Sequence, residues 1–459
     1  MEQTFGLRPT TGARTLMYRH IKQPELLPYG KIREDLFRPL SGLTRKYLFA
    51  IIAPILVILI GGYAWATQLR YGMGVTGLQR PVFWGFYIVD FVFWIGISHA
   101  GTLISAILRL TDAGWRKPIT RAAEAITVFA LMIGGMFPII HLGRAWYFYW
   151  LMPYPNSRLL WPNFRSPLLW DLTAICAYVT GSVIFLYLPL IPDMAQLAEH
   201  NTPWRAKLYH VLSLGWTGSD TEWHALERAM KLMAGIILAV AISVHTIVAW
   251  DFAMAIAPMW HSTIFGPYFV VGAIFSGLAG LMIVMAAIRK LMGLELYLTR
   301  HHFNNLAKLL LLMSILWLYF TMAEHLTVWY GNDPSEMVVF GARTRARFST
   351  LFWLMVFVNF VVPFVLLGIR RLRNITTGVI ASVGILFGMF LERYIIVVPT
   401  LSNPRLPAAS STSYAPSWVE IAITAATFAG MIVLYLIFSK LFPIIAVWEF
   451  KPHPHEDEI

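Results

Sequence analysis

The chain has 459 residues, of which 58% are hydrophobic, 15% aromatic and only 13% charged, where an ordinary soluble domain carries roughly 25% charged residues. That excludes a soluble enzyme, a nucleic-acid binder and a disordered regulator. The formal charge of +12 needs to be located before it can be interpreted, and one cysteine, Cys176, leaves no disulfide framework, CxxCH haem attachment or iron–sulfur cluster held by this chain alone.

Residues 1–46 are polar, basic and proline-spotted, so they read as an N-terminal segment rather than a secretory signal, and the first long apolar run starts at Tyr47. About 20 apolar residues cross a bilayer core, which predicts ten helical spans at 47–68, 82–108, 120–150, 167–192, 230–257, 262–288, 306–330, 348–369, 374–399 and 417–441. The resulting fold class is an all-α polytopic membrane protein. With the N-terminus and every second loop on one face, 26 of the 36 Lys and Arg residues fall there and 10 on the other. The bias recurs in successive short loops, so both termini are expected in the cytoplasm. The net charge is a topology signal.

Ionisable residues within spans cost several kcal/mol unless paired or hydrated, and each is a candidate for function. His141 and Arg144 lie near the outward end of the third span, Asp171 opens the fourth, and Asp251 stands seven residues before Pro258 in the fifth. That spacing sets Asp251 roughly 10 Å below the end of its span. Glu324 and His325 in the seventh span and Glu392 with Arg393 in the ninth are expected at a similar depth, with Asp90 beside them. Each has a plainer reading. His99, His245 or His325 can be a helix-to-helix hydrogen-bond partner, Arg144 can reach for headgroups, Glu392 and Arg393 can be a structural ion pair, and the aromatic run 146–149 can be an interfacial belt. Asp171 and Asp251, carboxyls with no evident partner in apolar sequence, resist such readings best.

Spans two to five and six to nine share a faint pattern. His141-Leu142 before Trp146-Tyr147 matches His325-Leu326 before Trp329-Tyr330, Trp170-Asp171 aligns with Trp353-Leu354, and the seven-residue step from Asp251 to Pro258 recurs from Glu392 to Pro399. The expected organisation is two four-helix bundles related by an internal repeat, 82–257 and 262–399, flanked by helices 47–68 and 417–441 and followed by a cytoplasmic tail, 442–459. Leu354 and Glu392-Arg393 replace Asp171 and Asp251 in the second half, so the site is expected in the first. Oxidising a quinol releases two electrons and two protons, and a neutral imidazole with a carboxylate in an apolar pocket can accept those protons. His141, Asp171 and Asp251 supply these groups, and the electrons must leave through an extrinsic redox partner.

Residues 96–101 (GISHAG), 141–146 (HLGRAW), 166–171 (SPLLWD), 245–251 (HTIVAWD) and 324–330 (EHLTVWY) resemble the polysulfide-reductase membrane-subunit, or NrfD, family. Within it the chain is most similar to the quinol-oxidising membrane subunits of alternative complex III. The resemblance covers residues 47–441. It implies a subunit, inactive alone, of a respiratory or photosynthetic quinol:acceptor oxidoreductase in a bacterial inner membrane, with menaquinol or another quinol bound toward the periplasm. It assigns His141, Asp171 and Asp251 to catalysis and adds Arg144 and Arg393 to quinol binding. The implied partners are an extrinsic iron–sulfur and molybdopterin-like subunit, a multihaem cytochrome c, a paralogous membrane subunit that does not bind quinol, and smaller membrane subunits.

A proton route through Asp90, His99, Glu124, His245, Glu324, His325 and Glu392 is a further expectation, one that a measured proton-to-quinol ratio tests. The competing readings are the paralogous, non-quinol-binding scaffold subunit of the same complex, a b-type cytochrome using His99, His141, His245 and His261, a secondary transporter, and a structural anchor. The terminal run from His453 to Glu458 reads as a solvated extension rather than a metal site.

Overall fold

The computed structural model describes residues 27–42, 44–152, 164–199, 202–406 and 413–450, with 159 and 161. Most of the first tail, Arg158 and the terminal histidines lie outside the described residues. Ten helices are long and apolar enough to cross a membrane, and among the described residues the architecture is all-helical.

The helices are α1 (Tyr29–Phe37), α2 (Arg45–Tyr71), α3 (Phe86–Leu110), α4 (Thr120–His141), α5 (Pro167–Tyr187), α6 (Ile191–Ala198), α7 (Pro203–Leu212), α8 (Asp220–Ala253), α9 (Phe265–Leu291) and α10 (Arg300–Gly331). The chain continues through α11 (Pro334–Thr344), α12 (Ser349–Val356), α13 (Val362–Gly368), α14 (Ile375–Ser402) and α15 (Trp418–Leu441). The fourth span joins α5 to α6 through a 3-10 turn, and the eighth joins α12 to α13 through a π-helical turn at Phe357–Val361.

Burial sorts these helices. The apolar window of α3 is 94% buried and that of α2 only 11%, which makes α3 the centre of the molecule and α2 a lipid-facing helix. α3, α4, α5 and α8 close one ring of contacts, α9, α10, α12–α13 and α14 a second, and α3 meets α9 and α14 where the rings join. α2 lies against α15 outside both. α3 and α4 approach closely because position 101 is glycine: a Cβ there would stand 1.8 Å from the Ala123 carbonyl oxygen.

The ends of the spans depart from the hydropathy reading. The third span stops at His141 rather than residue 150, because Gly143 takes a positive φ of 71°, a conformation that favours glycine and ends helices. The aromatic stretch beyond it is a separate 3-10 segment, Ala145–Leu151. α8 begins ten residues before the expected start, at Asp220, behind a capping box in which Ser219 and Glu222 satisfy each other's backbone N–H groups. It also ends at Ala253, before Pro258. Asp251 is therefore only about 3 Å inside its helix end rather than 10 Å.

The equal Asp251–Pro258 and Glu392–Pro399 steps consequently sit in different local structure, since Pro399 lies inside α14. Counting back from Ser402, Glu392 is roughly 15 Å within its helix, well deeper than the carboxyls of the first ring.

At the basic face the start of the expected tail is packed. Arg121 donates to Asp193 (2.6 Å) and to the carbonyls of Pro443 and Ile445. Asp193 accepts the N–H groups of Val447 and Trp448, and Glu449 meets Arg116 at 2.8 Å and Arg109 at 3.3 Å. Residues 443–450 thus close the basic-face end of the first ring.

Candidate functional site

Three helix ends converge on the opposite face. His141 is the last residue of α4, Asp171 sits in the first turn and a half of α5, and Asp251 in the last turn of α8. Pro167 opens α5 at a position where its missing N–H costs nothing, and the turn at Gly143 leaves His141 at the rim. Between them lies a cavity of about 390 Å³, walled by apolar side chains including Trp84, Ile88, Phe91 and Phe252, with His141, Asp171 and Asp251 as its ionisable lining. Trp84 and Phe252 meet edge to face at 6.0 Å between ring centroids, one of the preferred aromatic geometries.

The polar groups of this cavity lack partners. His141 Nδ1, Asp171 Oδ1 and Asp251 Oδ1 are all buried without a hydrogen bond. Asp171 and Asp251 lie close enough for their carboxyls to interact directly. An ionised carboxylate only accepts, so a hydrogen bond between the two requires a shared proton. Buried polar atoms are nearly always satisfied in native structures, and three orphans on residues that line one apolar cavity suit a polar ligand with an apolar body.

His141 is positioned by residues that sequence reasoning missed. Gln68 of α2, fully buried, donates to the Ile140 carbonyl at 2.8 Å and accepts from the Tyr87 hydroxyl at 2.5 Å. The Tyr87 ring stands edge-on to the imidazole at 6.3 Å. A glutamine in the last turn of a lipid-facing helix was the available signal. Trp84 and Phe252 carried none, because aromatics are common throughout this chain.

The remaining candidates lie elsewhere. Arg144, expected at the quinol, lines a neighbouring cavity of about 500 Å³ with Met73, Tyr147 and Trp150. Arg393, also expected there, is buried in the second ring, ion-paired to Glu392 and stacked 5.0 Å over Phe269. Neither lines the cavity that holds His141, Asp171 and Asp251. Asp90 turns toward α15 and accepts from Thr424 at 2.5 Å. Glu124 accepts from Ser105 at 2.5 Å near the basic face.

His99 and His245 meet at 4.4 Å between ring centroids. His99 has Nδ1 2.6 Å from the Ile95 carbonyl and Nε2 2.8 Å from that of Ala241, so both nitrogens are engaged and unavailable as haem ligands. Glu324 contacts His325 at 2.8 Å and Arg343 at 3.5 Å, and Glu392 accepts from Trp317 at 2.6 Å. These groups occupy clusters separate from the cavity, although His245, Glu324 and His325 each keep a buried atom without a hydrogen bond. Among the described residues no group of three or more His, Cys, Asp or Glu is placed to hold a metal ion.

Comparison with known proteins agrees with this architecture. Residues 74–403 match the polysulphide reductase, NrfD family. The chain is 25% identical over 414 residues to a putative dimethyl sulfoxide reductase membrane subunit of Halobacterium salinarum, covering 85% of this chain and 89% of that protein. It is 24% identical to a selenate reductase subunit of Mesobacillus selenatarsenatis, covering 87% and 94%. It is 23% identical to the Hdr-like menaquinol oxidoreductase integral membrane subunit of Archaeoglobus fulgidus, covering 89% and 96%. The chain belongs to the NrfD family and is an integral membrane protein.

Proposed function

We propose that this NrfD-family chain is the quinol-oxidising membrane subunit of a multi-subunit oxidoreductase of the alternative complex III kind, with its reaction at the outward cavity of the first ring. The observation that carries this reading is the set of three buried, unpartnered polar atoms on His141, Asp171 and Asp251 around an otherwise apolar cavity. The Archaeoglobus relative named as a menaquinol oxidoreductase subunit favours menaquinol. The basic-face bias of Lys and Arg supports a cytoplasmic assignment of that face, and with it a periplasmic cavity.

The chemistry follows from the groups present. One quinol hydroxyl donates to the His141 imidazole and the other to the carboxyl pair. Oxidation breaks both O–H bonds, giving the quinone, two electrons and two protons. One proton passes to the imidazole. The other passes to the carboxyl pair, which holds one shared proton beforehand and two afterwards. Both protons then leave to the outward face, and the two electrons pass to an extrinsic iron–sulfur protein, since Cys176 alone offers no cluster site. The apolar walls hold the ring and exclude water.

The test is turnover of menaquinol by the assembled complex carrying Asp171→Asn or Asp251→Asn. Loss of a single neutral hydrogen bond costs about 1 kcal/mol, a factor of roughly five, whereas loss of a proton acceptor costs roughly 100-fold or more in kcat. A 100-fold fall in fully assembled complex supports the acid–base role. Turnover within a factor of about five would remove it.

A further inference from the structure

The cavity has a second end, defined by residues that take no part in the chemistry. His141 lies six residues after Gly135 on α4, and Cys176 five residues after Asp171 on α5. The two helices run in opposite directions, so Gly135 is about 9 Å and Cys176 about 7.5 Å deeper in the bilayer than the polar groups. Both residues line the cavity, with Ile139 and Leu172 between the two levels.

This deep end is exposed on the apolar flank of the chain. Cys176 is exposed, and Met132 and Met136, which flank Gly135 on α4, are 50% and 47% exposed. The adjacent glycines differ in use. A Cβ on Gly134 would come within 2.9 Å of Ile95 on α3, whereas one on Gly135 would meet nothing within 4 Å. Gly134 serves helix packing. Gly135, which weakens its helix relative to alanine, leaves a notch between α4 and α5.

We propose that the apolar tail of the quinol leaves the cavity through this window between α4 and α5, at the level of Gly135 and Cys176, and that Gly135 is a specificity-determining residue for long-tailed quinols. The inference rests on the quinol reading above and adds to it a route and a selectivity. A ring with hydroxyls at one end and a polyisoprenoid chain at the other fits a cavity that is polar at its outward end and open to acyl chains at its inner end. Approach from within the bilayer then delivers the hydroxyls to His141 and the carboxyl pair.

In the assembled complex, Gly135→Trp should raise KM for a menaquinol with a long isoprenoid tail roughly tenfold or more relative to its effect on the tailless ring. The wild-type chain offers a measurement independent of any variant's folding, because Cys176 is its one cysteine. Labelling of Cys176 by a membrane-soluble maleimide, read on the Cys176 peptide by mass spectrometry, should slow with long-tailed menaquinone and not with the tailless ring. Equal effects on both substrates in Gly135→Trp, or equal protection of Cys176 by both, overturn the window. If Asp171→Asn abolishes turnover while Gly135→Trp ignores tail length, the window alone fails. If Asp171→Asn is fully active, the site reading itself fails.

Discussion

The two rings treat buried charge in opposite ways. In the first, Asp171 and Asp251 face each other across a cavity with His141 beside them, and no cation lines that space. In the second, each acid has a counter-charge. Glu324 lies between His325 and Arg343, and Glu392 is paired with Arg393 and bonded to Trp317. Arg343 also donates to Thr400 at 3.0 Å and the Ile396 carbonyl at 3.4 Å, which ties α11 to α14 across the outward end of that ring. Two similar frames of helices thus carry one constellation left open for a ligand and one closed on itself. Native proteins give up stability to keep reactive groups unpartnered, so the two rings should respond to substitution in opposite senses: activity lost with little change of stability in the first, stability lost with little change of activity in the second.

The largest expected stability effect is therefore in the second ring. Arg343→Met removes the buried guanidinium and leaves Glu324 with only His325, a change that typically costs up to about 3–5 kcal/mol when one partner of a buried ion pair is deleted. The complex should unfold at markedly lower temperature, while menaquinol turnover per folded complex stays near wild type. Adding Glu324→Gln to the same chain should recover most of the loss, because the stranded charge is gone. Asp171→Asn, by contrast, should leave the unfolding temperature unchanged or higher. An Arg343→Met complex that is stable yet inactive would break the contrast.

A smaller effect is expected at the support of His141. Gln68→Leu removes two buried hydrogen bonds, at about 1 kcal/mol each, from the Ile140 carbonyl and the Tyr87 hydroxyl. As a positioning residue Gln68 touches the imidazole only through Tyr87, so kcat should fall by roughly tenfold with KM little changed, the pattern of an interaction needed in the transition state rather than the ground state. Tyr87→Phe keeps the ring edge against His141 and should lose less. A Gln68→Leu complex that is destabilised with unchanged kcat would reduce this residue to a packing role.

Gln68 also shows where the sequence was readable and where it was not. The ten spans were legible because each is a long apolar run, and His141, Asp171 and Asp251 were legible because ionisable residues are scarce against that background. Their meeting was expected from shared depth and from the resemblance, while the direct approach of Asp171 to Asp251, far apart in sequence on helices whose contact no spacing encodes, was not. Helix ends were misread for two physical reasons. The aromatic run after Gly143 extends the hydropathy of the third span though the backbone has already turned at φ 71°, and the polar first turns of α8 carry no hydropathy signal, although the capping pair Ser219 and Glu222 was there to be read. Arg393 was carried to the quinol by resemblance, but its nearest acid is its own chain neighbour, Glu392.

The smallest effect sharpens the contrast from outside the bilayer. Asp333 caps α11, the helix that carries Arg343, by accepting the backbone N–H groups of Ser335 at 2.8 Å and Glu336 at 3.2 Å. The Ser335 hydroxyl, and after it the Glu336 N–H, hold the Asp333 carboxyl below its ordinary range. A carboxyl whose value is lower in the folded state stabilises that state above the unfolded value, about 3.9, and the contribution disappears as pH falls through the lowered folded value. Amide exchange in the first turn of α11 should therefore quicken as pH drops below about 4, once intrinsic exchange is corrected for, and Asp333→Ala should be fast across the whole range and insensitive to pH there. Because the cap only anchors the start of α11, the Glu324–Arg343 contact further along should survive the substitution, and the unfolding temperature of the complex should move far less than in Arg343→Met. A shift as large as that of Arg343→Met would mean that the second ring is held closed by its loop rather than by its buried charges.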